Sequence, residues 1–158
     1  MMFNISEHFT LYEARCRCGC GIEKLHVPEI SAQAAALEAF RAGLNADPEL
    51  ARYLEGSPSG EFRLFALSWI RCERHNKAVG GAGDSQHLPG HCDATDITCP
   101  ELPAIILYDK AQDYFPTAIY YPDRHFVHCD RRVWPDGEVH AWVNNPAPTE
   151  IPGDIARA

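Results

Sequence analysis

The chain has 158 residues, of which 46% are hydrophobic and 23% charged, and a net charge of −8; this is the make-up of a globular domain large enough to bury its own core. That composition excludes a disordered tail, a collagen-like fibre and a coiled coil. The acidic balance excludes nucleic acid as the main partner, because phosphate binding needs clustered cations, whereas Arg71, Arg74, Lys77, Arg124, Arg131 and Arg132 stand singly or in pairs.

Taken in order, Met1–Ile22 reads as irregular and carries Cys16, Cys18 and Cys20. Met1–Thr10 has neither the basic nor the apolar stretch of a secretory signal, so the expectation is synthesis in the cytoplasm with reduced thiols. Pro28–Leu44 reads as a helix, with Pro28 at its start and Leu37, Phe40 and Leu44 at helical spacing. Asn45–Gly60, with two prolines and two glycines, reads as a loop. Phe62–Arg71 is expected as a strand, and its apolar residues on both faces predict a central, covered one.

Cys72–Gly90 is polar and glycine-rich, and a loop of that length is usually functional. Ala94–Cys99 suits a short strand and Pro100–Phe115 a helix. Ala118–Tyr121 and Phe126–Asp130 are expected as a hairpin joined through Pro122-Asp123-Arg124. Arg132–Trp134 and Glu138–Val143 are expected as a second hairpin around Pro135-Asp136-Gly137. No apolar run approaches the roughly 18–20 residues of a membrane-spanning helix, so no integral membrane association is expected. The pattern predicts an α+β fold with a small antiparallel sheet flanked by helices. Residues 1–145 form a single domain in this reading, and 146–158 a C-terminal tail.

Chemistry concentrates in two stretches. His87, His91, Asp93 and Asp96 crowd into one, and His125, His128 and Asp130 into the other. A catalytic zinc takes three protein ligands of these types and keeps a fourth position open. Two ligands from one segment and a third from a distant strand satisfy that requirement. Asp130, two residues beyond His128, faces the same way on a strand and can orient it. Cys129 points to the opposite face, which argues against a cysteine nucleophile. Cys16-x-Cys18-x-Cys20 lacks the spacing of a usual zinc knuckle, though Cys72 could complete a four-thiolate set in space.

These residues carry a resemblance. Ser6-Glu7-His8-Phe9-Thr10, the segment Arg15–Gly21, Ser68-Trp69-Ile70-Arg71-Cys72, the run from His75 to His87, Ala94-Thr95-Asp96-Ile97 and Phe126-Val127-His128-Cys129-Asp130 are similar to the M15 peptidases. These are zinc D-alanyl-D-alanine carboxypeptidases and murein endopeptidases, and the likeness is to their short phage- and bacterium-borne branch. The resemblance implies a hedgehog/DD-peptidase-like fold with one zinc per chain. It implies His87, Asp96 and His128 as the metal ligands, with His91 and Asp93 as substitutes near them. Here His87 and Asp96 are nine positions apart; the family's spacing is shorter, and the extra residues fall after Gly90.

Arg71 resembles the family arginine that grips a substrate carboxylate, and Ser85 and Tyr120 are placed as further substrate contacts. His125 stands where related branches carry an acid that activates water, as a general base or as a surface histidine in a turn. The implied function is hydrolysis of peptide bonds in peptidoglycan stem peptides by a metal-activated water. The chain would be a monomer, reaching the wall by lysis or on a phage particle. The alternative on the same fold is a catalytically weak or inactive zinc-containing binding or phage structural module.

Overall fold

The computed structural model describes residues 3–144; the tail expected over 146–158 lies outside the described residues. The opening segment is less irregular than its sequence reads. A one-turn helix, α1 (Leu11–Ala14), is held by a capping box in which Thr10 and Glu13 satisfy each other's backbone amides. A 3-10 turn (Ile22–Leu25) leads into the long helix α2 (Val27–Ala46). Its buried residues Ile30, Gln33, Ala34, Leu37, Phe40 and Leu44 recur at three- and four-residue steps and form one stripe. A second 3-10 helix (Pro48–Leu54) occupies much of the expected loop after it.

The sheet has five strands: β1 (Phe65–Ser68), β2 (Ala94–Thr98), β3 (Thr117–Tyr121), β4 (Phe126–Asp130) and β5 (His140–Val143), in the order β1-β2-β4-β3-β5. Helix α3 (Glu73–Ala78) lies between β1 and β2, and α4 (Ala104–Ala111) between β2 and β3. The fold is α+β, as expected, but the sheet is mixed: β5 runs parallel to β3. The expected second hairpin does not form. Arg132–Trp134 is not a strand, and the backbone of His140 pairs with Pro116 and β3 instead. Trp134 reaches Thr117 on β3 with its indole N–H (2.8 Å) and stacks on His140, so the turn at Gly137 folds β5 back along β3.

β1 is an edge strand and shorter than predicted. Leu64 and Ala66 are buried, but Phe65 and Leu67 are more than 40% exposed, so its outer face is open. A register shift between Ala66 and Ser68 flips the alternation, which sends Trp69 into the core and leaves Ser68 beside the site. The polar stretch from Cys72 is likewise not all loop, since its first residues form α3.

The sheet's two faces have different jobs. Ile97, Ala118, Val127 and Cys129 join Ile30, Leu37, Phe40, Leu107 and Phe115 in one core. Gln33 of α2 enters this core fully buried. Its amide donates to Thr95 Oγ1 (3.2 Å) and the Cys129 carbonyl (3.3 Å), and its oxygen accepts from Arg131 (2.8 Å). Every polar atom it brings is therefore matched. The residues between these core positions, Asp96, Ile119, Tyr121, Phe126 and His128, line a cavity on the opposite face.

Candidate metal centre

Asp96 on β2 and His128 on β4 are direct partners in the antiparallel ladder, so strand pairing alone sets them side by side. His128 Nδ1 is 2.9 Å from Asp96 Oδ1. His87 comes from the loop before β2, and its Nε2 is 3.2 Å from both Asp96 Oδ1 and His128 Nδ1. Three donor atoms thus converge, each from a buried residue.

The longer His87–Asp96 spacing is absorbed by tight turning. Leu88 and Cys92 bond back to Ser85 and Leu88, and Gly90 (φ 94°) and Cys92 (φ 54°) take left-handed conformations. The loop is tied at its base by the Arg71 amide donating to the His87 carbonyl (2.8 Å). The extra residues project as a turn while His87 stays in reach of Asp96.

Each donor's remaining polar atom is also held. His87 Nδ1 bonds the Trp69 carbonyl. His128 Nε2 lies 3.0 Å from Asp130 Oδ2, and Asp130 is gripped by Arg132. The Arg71 guanidinium donates to Asp96 Oδ2 (2.5 Å) and to Ser68 Oγ (2.9 Å). Fixed outer atoms leave one orientation for each inner atom.

Burial would raise the Asp96 carboxyl, but the charge of His87 and hydrogen bonds from His128 and His87 hold it well below the usual range. Burial pushes His87 down, towards the neutral imidazole. Burial also pushes His128 down, yet hydrogen bonds to Asp130 and Asp96 outweigh it and lift the imidazole to about 9. Asp130 is depressed against its own burial by His128 and Arg132. Cys129, on the core face, is raised well above an ordinary thiol by burial, so it is no nucleophile.

The remaining predicted residues divide. Ser85 lines the cavity, and its Oγ accepts from the His87 amide (3.4 Å). Asp93 is half-buried near Asp130 and Arg131 and lies outside the converging group; burial raises its carboxyl. His91 is exposed and outside it too. Tyr120 faces the core side and stacks on Tyr108, so the cavity aromatic of β3 is its neighbour Tyr121. His125 sits exposed in a left-handed turn (φ 53°) and does not line the cavity. The turn Pro122–Arg124 carries it past the sheet's end, away from His128, although His128 is only three residues on.

Sequence reasoning missed His75, Arg132, Arg17, Trp142 and Asp123. All five line the cavity of about 1020 Å³ above the three donors. The alternation of β3 could have signalled Tyr121, but nothing local to His75 or Arg17 shows that α3 and the first loop wall the site. Arg17, Arg71, Arg124 and Arg132 give this wall four guanidinium groups in a chain whose net charge is −8.

No helix among the described residues is long and apolar enough to cross a membrane. No curated protein and no solved structure matches the chain. Residues 59–130 match the family model described as Peptidase M15. That span encloses His87, Asp96, His128 and Asp130, so the part of the chain that carries the metal centre is similar to the Peptidase M15 family.

Proposed function

We propose that this protein is a zinc peptidase that cuts peptide bonds in peptidoglycan stem peptides, of the D-Ala-D-Ala carboxypeptidase or murein endopeptidase type. The observation that carries the reading is the convergence of His87 Nε2, Asp96 Oδ1 and His128 Nδ1 on the floor of the cavity. The donor set fits zinc: two imidazole nitrogens and one carboxylate oxygen, all buried, with their other atoms held. When bound, the ion supplies Lewis acidity, polarising a carbonyl and lowering the pKa of water.

The chain's own groups supply the rest. Asp130 orients His128, and Arg71 orients Asp96. Because Arg71 already holds Asp96 and Ser68, the substrate's terminal carboxylate meets Arg124 at the cavity rim, whose planar fork matches a carboxylate. His75, half-buried in the cavity wall, takes the place expected for His125 in accepting and returning a proton at an imidazole nitrogen. Tyr121 and Trp142 form apolar wall against which a peptide lies. The enzyme works as a monomer on the cell wall, after lysis or from a phage particle.

The test is amine release from purified peptidoglycan, with and without chelator. Release that needs zinc and drops about 10²–10⁴-fold in His75→Asn supports the reading. Zinc-loaded protein that releases nothing would overturn it. That result would favour the alternative, a zinc-containing binding or phage structural module, which the exclusion of His125 from the cavity supports.

A further inference from the structure

Behind the cavity wall, outside the His87–Asp96–His128 group, four cysteines gather from two distant parts of the chain. Cys16, Cys18 and Cys20 lie just after α1, and Cys72 immediately precedes α3. Their sulfur atoms all lie within 4.8 Å of one another. The Sγ–Sγ separations are 3.3 Å for Cys16–Cys18 and 3.5 Å for Cys18–Cys72. Four thiolates around one zinc, with Zn–S near 2.3 Å, stand about 3.8 Å apart in a tetrahedron. All four are free thiols.

We propose that Cys16, Cys18, Cys20 and Cys72 bind a second, structural zinc ion that clamps the N-terminal segment onto the strand end carrying Arg71. The unusual Cys-x-Cys-x-Cys spacing is made workable by the backbone. The Gly19 amide bonds the Cys16 carbonyl (2.9 Å), and Gly19 and Gly21 both adopt left-handed φ values (73° and 74°). The chain thereby curls so that alternate side chains meet rather than spread along an extended strand.

The surroundings suit thiolates. The backbone amide of Cys72 points at Cys16 Sγ and that of His75 at Cys72 Sγ, both at 3.4 Å. Arg74 sits beside Cys18 and brings a positive charge to the cluster. Beneath the cluster, Cys16 packs with Ile70 and Cys92 in a small apolar nucleus, flanked by Ile22 and Cys72. A four-thiolate, tetrahedral set selects zinc over harder cations.

The clamp has a purpose in the fold. Arg17, between two of the ligands, donates to the carbonyls of Ala66 and Leu67 on β1. The Ile70 amide bonds Ala14 (3.3 Å). Arg71 precedes Cys72, and His75 lies one turn beyond it, so an ion here fixes two walls of the cavity.

Metal content and cobalt spectra test the proposal on the full chain. Wild-type protein should hold two zinc ions, whereas His128→Ala and the double variant Cys18→Ser/Cys20→Ser should each hold one. Cobalt-loaded wild type and His128→Ala should show thiolate-to-cobalt charge-transfer absorption, and the cysteine variant should lose it. Should that variant fail to fold, alkylation of the wild type decides. Protection of these four thiols by zinc, released by chelator, supports the site. A disulfide among them in reduced, zinc-supplied protein would overturn it, as would iron in place of zinc or cobalt spectra without thiolate bands.

Discussion

The two clusters that can hold metal are built in opposite ways. The histidine–aspartate cluster is seated on paired strands, with two donors locked in ladder register and every outer atom engaged. Its three donors face a cavity and leave room for a further ligand. The cysteine cluster hangs on turns at the molecule's edge, with Cys18 and Cys20 exposed, and its four donors close on themselves. The sheet shapes the first site before any ion arrives. An ion would have to shape the second, and its binding energy would be folding energy for the N-terminal segment.

The change expected to break this contrast most completely is Asp96→Asn. It removes the charge at the point where His87, His128 and Arg71 meet, while the β2–β4 ladder stays intact. Hydrolysis should fall to background and one metal equivalent should vanish, with the thiolate–cobalt absorption unchanged. Loss of both metals together would mean that the sites are not independent. Elemental analysis and the cobalt spectrum of the same sample give the answer.

A smaller effect is expected from Asp130→Asn, which keeps the shape but weakens the hold on His128 Nε2. Zinc affinity or turnover should drop about 10–100-fold. The pH dependence sharpens the point. In metal-free protein, hydrogen bonds to Asp130 and Asp96 overcome burial and raise His128 from 6.5 to about 9. A raised pKa stabilises the fold fully below about 6.5, and that contribution is lost as pH rises through about 9. Chelator-treated wild type should therefore lose thermal stability across this window, and Asp130→Asn should lose less. An unchanged pH profile would show that Asp130 is not what holds the proton.

How much of this was legible in the sequence follows from how local each feature is. The stripe of α2, the β3–β4 hairpin and the facing of His128 and Asp130 depend on spacing within one element, and spacing is visible in a sequence. The parallel docking of β5 was not, because it depends on Trp134 meeting Thr117, a contact between segments. The edge position of β1 was hidden for a similar reason: its two-sided apolar pattern suits a central strand, and only topology exposes Phe65 and Leu67. At the site, His87, Asp96 and His128 were legible through the resemblance. The wall residues His75 and Arg17 were not, since they are brought in by the loop and helix that the cysteines tie down.

The smallest effect is expected at His125, and its smallness is informative. The residue holds a left-handed conformation at φ 53°, which asparagine tolerates better than most residues. His125→Asn therefore removes the imidazole without forcing the Pro122–Arg124 turn to rearrange. Because His125 is exposed and outside the cavity wall, turnover should stay within about twofold of wild type, against the 10²–10⁴ expected of a general base. A loss of that larger size, with zinc content intact, would return the proton-transfer role to His125. It would also require the β3–β4 turn to fold inward over the cavity when substrate binds, giving the sheet-built site a moving part.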